Sequence, residues 1–301
     1  MFTTSLPSVV SMCIASAESL AAIKFRVPAR FRNRGPRERR VIPLRAAAAQ
    51  APATMKLRVL ALHSFRTSGS IFCDQLEALG NWPNAIGDLC EFVYVDAPHP
   101  ASGEVPEDVA SFFQGPYFEW WNATSFGIEG KEGKVLQYEG LERSLEFVEE
   151  VWRTKGPFDG IVGFSQGATF TGLLAATGKV EGRGPFVPRD AGDPGAFAIF
   201  ISGMQARTEE AKRLYTEASG EMGMDIATLH IVGETDRAIP PAMSDRASQM
   251  FVEERRAVIR HGRGHVVPRL DGDNLKSVRN WLQEQLNAKG RYRAGGTTAA
   301  L

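Results

Sequence analysis

The chain has 301 residues, 43% of them hydrophobic, and its 35 basic residues balance 35 acids. A chain of this length and apolar content can bury a full core as one α/β domain. The balance hides a division: residues 1–54 carry nine Lys/Arg against Glu18 and Glu38, which leaves 26 basic residues against 33 acids beyond them. That mildly acidic remainder has no basic patch, which argues against nucleic acid as a partner.

The first 54 residues are rich in Ser, Ala and Arg and nearly free of acids. They read as an organelle transit peptide ending near "RAAAAQAPATM", and are too polar to span a bilayer. Their uncharged Ser/Ala-rich start favours chloroplast over mitochondrion. A basic tail that stays attached, in the cytoplasm, is the alternative. A single folded domain is expected over 55–289 and a disordered tail over 290–301. Cys13, Cys73 and Cys90 have neither the number nor the spacing of a disulfide framework or metal site.

Beyond the leader, strand-like apolar runs alternate with helical patterns. "KLRVLAL" (56–62) predicts a strand, "IFCDQLEALG" (71–80) a helix and "EFVYVDAP" (91–98) a second strand. An irregular stretch over 99–134 precedes a helix predicted across "LQYEGLERSLEFVEEVW" (136–152). "FDGIVGFS" (158–165) is a buried strand and "GATFTGLLAATG" a helix of small residues. "FAIFISG", "TLHIVGE" and "RAVIRHG" supply three more strands, and "NLKSVRNWLQEQL" the last helix. This alternation implies an α/β fold: a mostly parallel sheet of about six strands with helices on both faces, and ligands at the strands' carboxyl ends.

"GFSQG" sets Ser165 between Gly163 and Gly167, where a buried strand gives way to a helix. G-x-S-x-G alone is a weak signal in a chain with 30 glycines. In this setting it fits a nucleophile turn, in which a strained serine needs small neighbours two residues away on each side. The backbone N–H of Gln166, at the helix start, would then face the serine oxygen, where the helix end favours negative charge. A serine needs a base. His265, in the glycine-bearing loop "HGRGHVVP" after the strand "RAVIR", fits best, with His261 as fallback; His230 inside "TLHIV" reads as core and His63 as loop-fixing. The third member is an acid that holds the imidazole's tautomer. Asp236, just past "TLHIVGE", fits, with Glu234 as the alternative. The order Ser165, Asp236, His265 is that of α/β-hydrolases. The Phe65 N–H, in the loop after the first strand, would be the second oxyanion donor.

"LHSFRTSG", "GFSQGA", "GETDRAIP" and "HGRGHVVP" together resemble the family of serine hydrolases, the FSH-type α/β-hydrolases, over about 56–285. The resemblance implies an α/β-hydrolase fold with Ser165, Asp236 and His265 as catalytic residues and Phe65 and Gln166 as oxyanion donors. It further implies carboxylesterase or thioesterase activity on a small-molecule substrate, with no cofactor or metal. Ser64 stands where the family usually has glycine before the phenylalanine, which puts the Phe65 amide in question. In "GPYFEWWNATSFG", Tyr117, Trp120 and Trp121 are candidates to line a substrate pocket, or else to pack the insertion on the core. The rival functions are a ligand receptor on the same scaffold with slow turnover, and acyl transfer to an acceptor other than water.

Overall fold

The computed structural model describes residues 55–127 and 134–296; the leader, residues 128–133 and 297–301 lie outside the described residues. The elements run β1 (Leu57–Leu62), α1 (Gly69–Asp74) continued by a π-helical turn (Gln75–Leu79), α2 (Trp82–Ile86), β2 (Cys90–Val95), β3 (His99–Pro100), α3 (Glu107–Ala110) and β4 (Phe118–Glu119). There follow β5 (Asn122–Gly127), β6 (Lys134–Glu139), α4 (Leu141–Lys155), β7 (Gly160–Phe164), α5 (Gln166–Glu181), β8 (Phe197–Ile201) and α6 (Glu209–Ser219). The chain closes with β9 (Thr228–Gly233), α7 (Pro241–Ser248), a 3₁₀ turn (Glu253–Arg255), β10 (Arg256–His261) and α8 (Gly272–Gly296).

Six strands form one sheet in the order β10-β9-β8-β7-β1-β2, and every neighbouring pair in it is parallel. Parallel strands covered on both faces become nearly continuous apolar runs, which is why β7 and β8 are buried at every residue. Alternate side chains divide between two cores. Leu60, Leu62, Ala198 and Phe200 point to the face covered by α4, α5 and α6. Val59, Ala61, Ile199 and Ile201 point to the face covered by α1, α2 and α8. This is the α/β-hydrolase architecture that the sequence implies. Among the described residues no helix is long and apolar enough to cross a membrane.

The strand order fixes where a site can form. From β1 the chain moves outward to β2, then returns to the other side of β1 for β7 and continues through β8, β9 and β10. The loops leaving the carboxyl ends of β1 and β7 therefore diverge, and a crevice opens between them.

Two expectations are corrected. The helix predicted over 136–152 begins only at Leu141; residues 136–139 belong to β6, which pairs antiparallel with β5, Asn122 opposite Glu139. Gly140, at φ +87°, divides the two, a conformation that glycine adopts without penalty. The stretch read as irregular thus holds β5 and the small β3–β4 pair, with β6 following at its end. At the other end, the tail expected from residue 290 is helical to Gly296. Its hold comes from charge: Lys289 pairs with Asp193 at 3.2 Å, Arg293 with Asp159 at 3.1 Å, and the Tyr292 hydroxyl donates to Asp190 at 2.5 Å.

Candidate active site

Ser165 joins β7 to α5 at φ +54°, ψ −111°, a strained backbone for a residue with a side chain. Its N–H donates to Ile201 O at 3.0 Å, which anchors the turn to the end of β8. The flanking glycines are needed for space. A Cβ on Gly163 would stand 2.3 Å from Gly167 O, and one on Gly167 would stand 2.1 Å from Leu62 O. No side chain fits at such separations, so the first turn of α5 lies directly on the end of β1.

His265 and Asp236 come from the loops that follow β10 and β9. The His265 Nδ1–H donates to Asp236 Oδ2 at 2.8 Å, and Nε2 accepts from the Ser165 hydroxyl at 2.9 Å. Asp236 Oδ1 is taken up by the N–H groups of Ala238 and Ile239, at 3.0 and 2.8 Å. Asp236 is buried, while Ser165 and His265 keep partial access to solvent. Burial works against the Asp236 charge, but the hydrogen bond and charge of His265 and the Ile239 amide outweigh it and hold the carboxyl below its usual range. Glu234 is exposed and its N–H is bonded to His261 O, so the acid beside the imidazole is Asp236. The arrangement can move a proton from Ser165 to His265 and keep the resulting imidazolium beside a buried carboxylate.

Residues 53–276 match the family described as "Serine hydrolase (FSH1)". The chain belongs to this serine hydrolase family. Among its relatives, Esterase CG5412 of Drosophila melanogaster is 33% identical over 242 residues, 77% of this chain and 76% of its own. Esterase OVCA2 of Homo sapiens is 30% identical over 232 residues, 73% of this chain and 92% of its own. Among solved structures, acyl-protein thioesterase 2 of Zea mays aligns over 79% of this chain and 97% of its own, with a TM-score of 0.46 and 18% identity.

The other histidines of the serine hydrolase domain have different surroundings. His63 is buried; its Nε2 accepts from the Ala97 N–H at 3.0 Å, which leaves Nδ1–H to donate to Ser64 O at 2.8 Å. Burial pushes it down to about 4, so it is a neutral loop-fixing residue. His230 is buried and stacks on Phe200 at 4.6 Å, as a core residue. His261 is buried at the end of β10 with Nδ1 accepting from the Arg263 N–H at 3.3 Å, and has no bond to Ser165.

The aromatic segment has a different use from the one expected. Trp120 is fully buried and Trp121 nearly so, stacked on Phe170 and Tyr138 respectively. The reading of these two as an open pocket wall is corrected, because their surface is spent on packing. Tyr117 is half-buried, its hydroxyl donating to Phe113 O at 2.7 Å; no contact brings it to Ser165 among the described residues. The side chain of Phe126 lies outside the described residues. Trp120 instead joins the two loops that matter: its Nε1–H donates to His63 O at 2.9 Å and its backbone N–H to Gln166 Oε1 at 3.0 Å. The Gln166 Nε2 donates to Trp121 O at 2.9 Å. Sequence reasoning missed this role of the Gln166 side chain, because nothing in "FSQGA" signals a partner 46 residues away.

Phe65 lies in the loop so braced, half-buried, with the Arg66 guanidinium 4.6 Å above its ring. Arg66, at φ +51°, is the left-handed residue of the turn. Its Nε donates to the buried Glu119 carboxylate at 3.0 Å. Ser64 has no positive φ, so a serine fits where the family resemblance expects glycine. No hydrogen bond among the described residues uses the N–H of Phe65 or of Gln166.

Proposed function

We propose that this serine hydrolase cleaves carboxylic esters or thioesters of small molecules through an acyl-serine intermediate. The single observation that carries the proposal is the continuous relay from Asp236 through His265 to the Ser165 hydroxyl, at 2.8 and 2.9 Å. His265 Nε2 takes the Ser165 proton as Oγ attacks the substrate carbonyl. The N–H groups of Phe65 and Gln166 receive the developing oxyanion, each such donor stabilising the transition state by about 3 kcal/mol. The imidazolium then protonates the departing alcohol or thiol as the C–O or C–S bond breaks. A water, deprotonated by the same imidazole, releases the acid and restores the serine. Relatives named as esterases support the reaction class. A complete relay favours turnover over stoichiometric capture of a ligand.

The test is steady-state hydrolysis of p-nitrophenyl esters and acyl thioesters together with fluorophosphonate labelling. Ser165→Ala is expected to abolish both signals. Asp236→Asn is expected to lower kcat by about 10²–10⁴-fold in a folded protein, with Glu234→Gln near wild type. Unchanged ester cleavage by Ser165→Ala, or a single stoichiometric burst from the wild type across the panel, would reject the mechanism.

We further propose that residues 1–54 direct the chain to the chloroplast, on their Arg/Ser/Ala-rich, acid-poor composition. Fusing the leader to a fluorophore in plant cells is expected to give plastid fluorescence; a diffuse cytosolic signal would defeat the idea.

A further inference from the structure

Ser202, the residue after β8, is the second serine of the domain in a strained conformation. It sits at φ +47° and is 1% exposed. Glycine would hold that backbone without penalty, and a glycine does follow at 203, yet position 202 carries a side chain. The backbone here is fixed from three sides. Ser202 N–H donates to Ile231 O at 3.0 Å, tying the end of β8 to β9. Gly203 O accepts from the Ser244 hydroxyl at 2.8 Å, and a Cβ on Gly203 would stand 2.9 Å from the Ala168 side chain. The Ser202 hydroxyl is therefore delivered to one place, sealed from water, and there it makes no well-aligned hydrogen bond. A buried hydroxyl left unmet is a liability, and strain adds to it. Retaining both points to a use in another state of the site.

The acid of the relay is the group that the hydroxyl can serve. Asp236 Oδ1 holds two backbone amides and Oδ2 holds His265. The Ser202 side chain is among the groups that keep this carboxyl ionised, after burial, which opposes the charge, and the larger contributions of His265 and Ile239. We propose that Ser202 is a positioning residue: its hydroxyl turns to donate to the Asp236 carboxylate when His265 takes up the Ser165 proton, and steadies the acid beside the imidazolium. Hydrogen bonds of a resting site are often loose and tighten as the reaction proceeds. No covalent bond to Ser202 is made or broken, and it keeps its proton throughout. The inference rests on the proposed relay of Ser165, His265 and Asp236. Near this acid lies the His261 imidazole, which burial pushes below its usual range and which senses the charges of Asp236, Arg263 and Glu234.

Ser202→Ala and Ser202→Gly test it, with Ser165→Ala alongside. Both Ser202 variants remove the hydroxyl, and the glycine also relieves the strain. A positioning role is expected to lower kcat/KM about tenfold, through kcat rather than KM. It also moves the acid limb of the kcat/KM profile to lower pH, because a donor that engages the carboxylate only beside the imidazolium favours the protonated imidazole, and its loss lets that proton leave more readily. Ser202→Gly is expected to melt no lower than wild type, which separates lost activity from lost stability. Rates are counted per site titrated with fluorophosphonate, so that a partly folded variant still gives an answer. Wild-type kcat/KM and an unmoved acid limb in both variants, with Ser165→Ala inactive, would overturn the role of Ser202 and leave the relay standing. An active Ser165→Ala would remove the relay and this inference with it.

Discussion

His63 and His230 are both buried as neutral imidazoles, the first pushed down to about 4 and the second to about 3, with burial the leading cause in each. In the unfolded chain both take a proton near pH 6.5. Between that pH and the folded value the unfolded state binds protons that the folded state refuses, so stability falls as the pH falls through this window. At roughly 1.4 kcal/mol per unit, each residue accounts for several kcal/mol of acid sensitivity. His230→Phe keeps a ring against Phe200 and Phe251 and removes the titration. The variant is expected to lose less melting temperature than wild type between pH 7 and 4; parallel melting curves across that range would contradict it. The site was legible at this scale where chemistry coincides with a strand end. Ser165, Asp236 and His265 each follow an apolar run, and the limit of that run can be read from the chain. Choosing between Asp236 and Glu234 could not be done that way, because two residues of spacing do not say which carboxylate turns inward.

At the scale of elements, α5 has a double duty at its first residue. The Gln166 main chain is the proposed oxyanion donor, while its side chain fills the hydrogen-bonding needs of Trp120 N–H and Trp121 O. Gln166→Leu preserves the first and cancels the second. It leaves two buried polar groups unmet, at about 1–3 kcal/mol each. A denaturant midpoint well below that of wild type is expected, and an unchanged midpoint would show that the brace carries nothing. The central strands of the sheet were readable because parallel strands buried on both faces are almost wholly apolar, and the partly buried edge strands β2 and β10 by the shorter apolar runs within them. The β5–β6 hairpin was not, since "VLQYE" carries an alternation too short to stand out beside the helical pattern that starts at Leu141. The aromatic residues were visible in the sequence, but their burial depends on Gln166, Phe170 and Ser144, which only the fold brings near.

Over the whole molecule, the end of α8 is fastened by charges with little access to water. Lys289 and Asp193 are 4% and 3% exposed as side chains, and Asp193 also holds Arg189. Burial opposes the Asp193 charge, but the bonds from Arg189 and Lys289 prevail and keep its carboxyl well below the usual range. A depressed carboxyl adds stability at neutral pH that disappears on acidification below about pH 4. Lys289→Ala leaves part of that charge uncompensated and is expected to cost roughly 3 kcal/mol in urea unfolding at pH 7, with a smaller difference at pH 3. Equal midpoints at pH 7 would mean that the helix end holds by other means. Composition gave no sign of this fastening, because a Gly/Arg/Ala-rich terminus looks the same whether or not acids elsewhere await it.

The middle of the sheet carries a consequence for how the chain is made. Arg58 at the foot of β1 bonds to Asp159 beside β7, 101 residues later. Until the ribosome has delivered that distant segment, the first strand has β2 on one flank and an open edge on the other, ready to stick to any extended neighbour. The turn that carries the proposed nucleophile Ser165 sits immediately beyond the late partner, so under that proposal a nascent fragment that stops short of residue 160 is inert.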